Sequence, residues 1–102
     1  MALEMRTRCE RCDGPLSPEG DARICSYECT FCADCVATLL HDVCPNCGGG
    51  FERRPVRPAT ERRPGTSLVH DPASTERRHL RWEREAVARF AAELRDVPPA
   101  AR

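Results

Sequence analysis

Eight cysteines lie between Cys9 and Cys47 of a 102-residue chain, and Gly48 to Arg102 contains none. Cys9/Cys12, Cys32/Cys35 and Cys44/Cys47 are each spaced C-x-x-C, and Cys25/Cys29 is spaced C-x-x-x-C. A turn of that length aims two thiolates at one point about 2.3 Å away, which makes two corners of a zinc tetrahedron. Four such pairs give two complete four-sulfur sites with no ligand left over. Which pairs share an ion stays open on spacing alone: the first four and last four cysteines, or alternating pairs. Either way the sites are closed, with no position for water or substrate, so the chemistry they predict is structural. Disulfides are the competing use of an even cysteine count, and they need an oxidising compartment. Met1 to Arg8 carries no apolar stretch of the kind an export signal has. The expectation is two Zn2+ ions per chain, reduced thiols and a cytoplasmic setting.

No other constellation competes. His41, His70 and His79 lack ligand-like partners and suit surface or capping roles. There is no Ser-His-Asp set, no paired carboxylates and no Gly-rich loop after a strand, so Gly48-Gly49-Gly50 reads as a hinge. No catalytic residue and no organic cofactor is expected.

Composition explains why metal is needed. The chain has 16 Arg and no Lys, 16 acidic residues, 5% aromatic residues and a mean hydropathy of −0.56. That leaves too little apolar material for an enzyme with a cleft in a large core, and no run of about 18 apolar residues for a membrane span. A head of about 50 residues cannot stand on a core this thin, whereas a structural zinc contributes roughly 10–16 kcal/mol. Folding and metal loading are therefore expected to be one event.

The zero formal charge hides a polarity. Residues 1–50 hold four Arg and eight acids, and residues 51–102 hold twelve Arg and eight acids. The head is thus acidic, and each loaded site adds about −2. Affinity for nucleic acid comes from neutralising backbone phosphate. The head lacks the charge for that, and only the tail could supply it, through Arg53, Arg54, Arg57, Arg62 and Arg63.

The elements that must position the thiols are small. Arg23 to Tyr27 suits a short strand. Cys35 to His41 suits a helix with Val36, Leu39 and Leu40 on one face. Residues 52–73 read as a Pro/Arg-rich linker. Ser74 or Thr75 can cap an amphipathic helix over residues 74–97, with Leu80, Val87 and Leu94 on one stripe. This helix either docks on the head or meets a partner, its own copy included. Residues 98–102 read as a disordered tail.

In one line the ligands are C-x2-C-x12-C-x3-C-x2-C-x2-C-x8-C-x2-C, which resembles the RING-finger pattern, with Cys29 where that family usually has His. Cys29-Thr30-Phe31-Cys32-Ala33-Asp34-Cys35-Val36 and Cys44-Pro45-Asn46-Cys47 carry the likeness in detail. The resemblance implies a small α+β cross-brace fold, the double zinc domain spanning residues 1–51. It implies one zinc on Cys9, Cys12, Cys32 and Cys35 and a second on Cys25, Cys29, Cys44 and Cys47. Residues 3–58 are also similar to a small bacterial cysteine-rich family of unknown function, domain family 1272, through Ala22 to Cys35 and Cys44 to Gly49. That family brings no activity with it. Of the contacts RING-type ubiquitin ligases use, Leu39 and Pro45 are present, but Arg11 and Gly48 depart from the pattern.

The function expected is a zinc-binding, non-catalytic module that contacts another protein through Tyr27, Leu39, Leu40 and Pro45. A thiol-based redox or zinc-release switch is the alternative. Ubiquitin-ligase-like activity and a nucleic-acid accessory role for the tail stand behind these. No membrane contact is expected.

Overall fold

The computed structural model describes residues 2–102. Ala22 and Ile24 alternate with Arg23 in strand β1 (Ala22–Ile24), so the apolar pair faces inward and the arginine outward. Strand β2 (Thr30–Cys32) returns antiparallel, with Ala22 opposite Cys32 and Ile24 opposite Thr30. Strand β3 (Glu52–Arg53) adds to the other edge of β1, for the order β2-β1-β3. The chain leaves β2 directly into helix α1 (Ala33–Cys35), which widens into a π-helical stretch over Val36–Leu40 and stops at His41 in the left-handed region. This places the expected helix two residues earlier, because the Cys32 sulfur accepts from the Cys35 N–H and caps it.

Phe31 and Phe51 meet edge to face at 5.5 Å in the core, beside Leu39 and Leu40. Five of the twelve residues of this cluster are cysteines, so sulfur makes up a large share of a thin apolar interior.

Residues 52–73 are not a free linker. Beyond β3, the Arg54 side chain is buried and donates to the carbonyls of Arg6 at 2.7 Å and Ser17 at 3.2 Å. Arg57 donates to the carbonyls of Leu3 and Asp71. Guanidinium forks thus staple a proline-rich segment that lacks its own ladder, which the composition did not reveal.

The C-terminal helix is shorter than expected: α2 spans Arg84–Leu94. Its expected first half runs extended along the head instead, with Ser74 N–H donating to Met5 O at 2.8 Å and Leu80 N–H to Glu10 O at 3.1 Å. Those bonds compete with helix propagation and win. Helix α2 docks on the head through Val87 and Ala91, both buried, with Phe90 and Leu94 flanking. Nor is the terminus disordered: Pro99–Ala101 forms a 3-10 turn, and Arg102 donates to Asp42 O at 2.8 Å and Gly48 O at 3.0 Å. The glycine run is likewise no hinge. A methyl on Gly48 would meet Leu94 at 3.3 Å and one on Gly50 would meet Pro99 at 3.0 Å, so the glycines let the C-terminal segment sit close. Among the described residues no helix is long and apolar enough to cross a membrane.

Candidate metal centres

Two loops of different sequence close on their sulfurs in the same way. In the first, Cys9 N–H donates to Gly14 O, Asp13 N–H to Cys9 O, and Gly14 N–H to the Cys12 sulfur at 3.4 Å. In the second, Cys44 N–H donates to Gly49 O, Gly48 N–H to Cys44 O, and Gly49 N–H to the Cys47 sulfur at 3.4 Å. Each needs a left-handed residue four places after its first cysteine, and Asp13 (φ 60°) and Gly48 (φ 80°) fill that place. The Cys25–Cys29 loop makes a related turn at Glu28 (φ 66°), where Glu28 N–H donates to Cys25 O. Cys32 and Cys35 are set by the start of α1.

These four devices bring the sulfurs into two groups. Those of Cys9, Cys12, Cys32 and Cys35 all lie within 4.8 Å of one another, as do those of Cys25, Cys44 and Cys47. The contacts Cys9–Cys35, Cys12–Cys32 and Cys25–Cys47 are each 3.8 Å. A tetrahedron with metal–sulfur bonds of 2.3 Å has edges of about 3.8 Å, whereas a disulfide needs about 2.05 Å. All eight cysteines are free; the four-sulfur group fits a tetrahedral thiophilic ion, and the second group supplies three corners of one. The groups draw on alternating pairs along the chain, not on the first and last four cysteines.

Cys29, expected as the fourth ligand of the second site, is not among the sulfurs that converge. It interacts with Cys25 and Cys44, but the Asn46 side-chain amide donates to it at 3.4 Å. The same amide donates to Glu10 at 2.8 Å, and its carbonyl accepts from the Trp82 indole at 3.1 Å. Sequence reasoning missed Asn46 and Glu10, since neither belongs to a spaced ligand pattern; the Asn46 amide bridges the Cys29 sulfur to the Glu10 carboxylate.

Electrostatics follow burial and sulfur crowding. Hydrogen bonds from Cys29 and Cys44 pull the Cys25 thiol down to about 3. Those from Cys25 and Cys29, with burial, push the Cys44 thiol well above its ordinary value. Burial likewise pushes up Cys35, against the Arg11 guanidinium, which donates to its sulfur at 3.6 Å.

Of the four residues expected to form a contact surface, Leu39, Leu40 and Pro45 are buried and only Tyr27 is exposed. Pro45 lies beside α2, in a slot of about 390 Å³ lined with Trp82, Ala86, Val87 and Phe90.

Residues 2–57 match the sequence profile of a family described as "Protein of unknown function (DUF1272)". An uncharacterized protein of Rhizobium meliloti (strain 1021) is 54% identical over 76 residues, covering 74% of this chain and 83% of that protein. No solved structure matches the chain.

Proposed function

The chain belongs to the DUF1272 family of proteins of unknown function, and because that membership carries no activity we propose its role from the site alone: a two-zinc, non-catalytic protein-interaction module with RING-like cross-bracing. The observation that carries this reading is the pair of sulfur groups with 3.8 Å edges, drawn from alternating cysteine pairs. Zinc is the ion of choice because all-thiolate tetrahedral sites suit it and a closed set leaves nothing for catalysis. Cys29 completes the second site by swinging off Asn46. The contact surface is Tyr27, 76% exposed, together with the half-exposed Trp82 and the slot beside it.

Elemental analysis of freshly purified protein tests the metal: two zinc atoms per chain are expected, and one or none overturns the reading. Tyr27→Ala and Trp82→Ala, retaining full zinc, are expected to lose a captured partner that the unaltered chain retains. The ligase reading gains no support, since Leu39 and Pro45 are covered. The nucleic-acid reading is weakened because Arg54 and Arg57 are spent on backbone carbonyls.

One observation favours the switch reading as a second: each sulfur group exposes one cysteine, Cys12 in the first and Cys47 in the second. Peroxide reaching such a sulfur would convert two thiolates to a disulfide, with two protons taken up, two waters formed and the metal released. Rapid zinc loss under mild peroxide, reversed by thiol, favours the switch; inert zinc favours the module.

A further inference from the structure

Among the places where the fold lays the basic tail on the acidic head, one gathers several arginines together. Residues 77–81 lie across the N-terminal segment, and between them is an open cavity of about 430 Å³. Arg6 enters it from the head, and Arg77, Arg78, His79 and Arg81 from the tail; Glu10, Asn46 and Cys29 complete the wall.

Four guanidiniums line the cavity with one carboxylate, Glu10, which is already engaged, and Arg6 also pairs with Glu4 at 3.1 Å. Glu10 accepts from Asn46 at 2.8 Å through one oxygen and from Arg6 at 3.3 Å through the other. Arg78 pairs with Glu4 and Glu76, and Arg77 with Asp13 at 2.7 Å. Two donors stay unspent. Nη1 of Arg77 is buried with no partner among the described residues, and Arg81 has no carboxylate partner among them. A buried N–H of that kind is rare in a finished structure and calls for an acceptor.

We propose that this cavity binds a phosphate-class dianion, inorganic phosphate or a phosphate monoester, gripped between Arg77 and Arg81 with Arg6 and Arg78 alongside. Planar guanidinium forks match phosphate oxygens in pairs, and a dianion with three terminal oxygens satisfies more forks than a carboxylate does. The rim carboxylates Asp13 and Glu76 are well exposed, so the pairs they make are weak and yield to a bidentate anion. The proposal does not depend on which metal the thiols hold.

The test titrates the intact, metal-loaded chain with inorganic phosphate, O-phosphoserine and a short single-stranded oligonucleotide. It follows heat and the emission of Trp82, the sole tryptophan, whose indole is bound to Asn46 in the cavity wall. Saturable binding of phosphate or phosphoserine is expected, weaker at high salt. Arg81→Gln and Arg77→Gln should each weaken it by about tenfold or more. The double variant Arg62→Gln/Arg63→Gln, outside the cavity, should not change it. Stronger binding of phosphoserine than of inorganic phosphate assigns the monoester; the reverse assigns the free ion. No saturation by about 10 mM overturns the proposal, as does binding confined to the oligonucleotide. It also fails if the Arg77 and Arg81 variants shed metal while anion binding persists, for then these arginines only neutralise thiolate charge.

Discussion

Asp13 and Gly48 hold the same left-handed place in two matching sulfur loops, yet they differ in what substitution would cost. Gly48 has φ 80° and packs against Leu94, so Gly48→Ala adds both αL strain and a 3.3 Å contact. The expected loss is about 1–2 kcal/mol, read as a lower midpoint of unfolding in denaturant. Asp13→Gly removes strain but frees the unfolded chain and breaks the ion pair with Arg77, so it should change stability by less than about 0.5 kcal/mol. If both variants cost the same, the contact with α2 is not what sets Gly48 apart. A second prediction concerns protons. Crowding by Cys25 and Cys29 raises the Cys44 thiol, and burial raises Cys35, so both carry protons in the metal-free chain at neutral pH. A metal must displace those protons, and it binds more weakly as pH falls. Between about pH 6 and 8, zinc affinity measured against a competing chelator should rise about tenfold or more per pH unit. A flat profile would mean the thiols are already ionised without metal.

Helix α2 owes its place to a handful of side chains. Val87 and Ala91 are almost fully buried against the head, and Val87 belongs to the same cluster as Phe31 and five cysteines. Val87→Ala should cost about 1–2 kcal/mol by leaving a cavity, and Val87→Asp should detach the helix and raise the collisional quenching of Trp82 above that of its half-exposed native state. An unchanged quenching rate in the Asp variant would mean that the helix is held by Arg102 and the 74–82 segment instead. Part of the expected stripe was legible in sequence, since Val87 and Leu94 recur at helical spacing, but Leu80, expected on the same stripe, lies in the extended segment before the helix. The pairing of cysteines within each short loop was legible too, because that geometry is local. Which pairs come together was implied only by the resemblance to RING fingers, and Cys29, expected in the second group, is not among the sulfurs that converge. The length of α2 was not: Ser74 and Leu80 give their N–H groups to Met5 and Glu10, partners some 70 residues away that no window reveals. The proline segment misled for a related reason. Proline excludes helix and central strand, but it does not say whether an arginine nearby is solvated or, like Arg54, buried among carbonyls.

The molecule measures 44 × 27 × 20 Å and wraps its second half around a head whose core mixes cysteines with a few aliphatic and aromatic side chains. On the proposed two-metal reading, that arrangement makes the tail depend on the metal. Helix α2 has 11 residues, too short to persist alone in water, and the face that holds it is built by the Val36–Leu40 stretch and Gly48. The strap over residues 74–82 hangs from Met5, Glu10 and Asn46, which stand beside the first and last cysteine loops. Removing metal leaves thiols that repel or share protons where the core should be, and the apolar residues present cannot hold the head closed. Chelation should therefore abolish the helical circular dichroism of α2 and α1 together with the native Trp82 emission, in one transition that zinc reverses. Two separated transitions, with Trp82 unchanged until the second, would show that the C-terminal half stands on contacts of its own. The same titration with the Arg54→Ala variant should reach its midpoint at lower chelator concentration, because that side chain ties the N-terminal segment to the sheet through Arg6 and Ser17. A variant that unfolds at the unaltered concentration would confine the coupling to the sulfur loops.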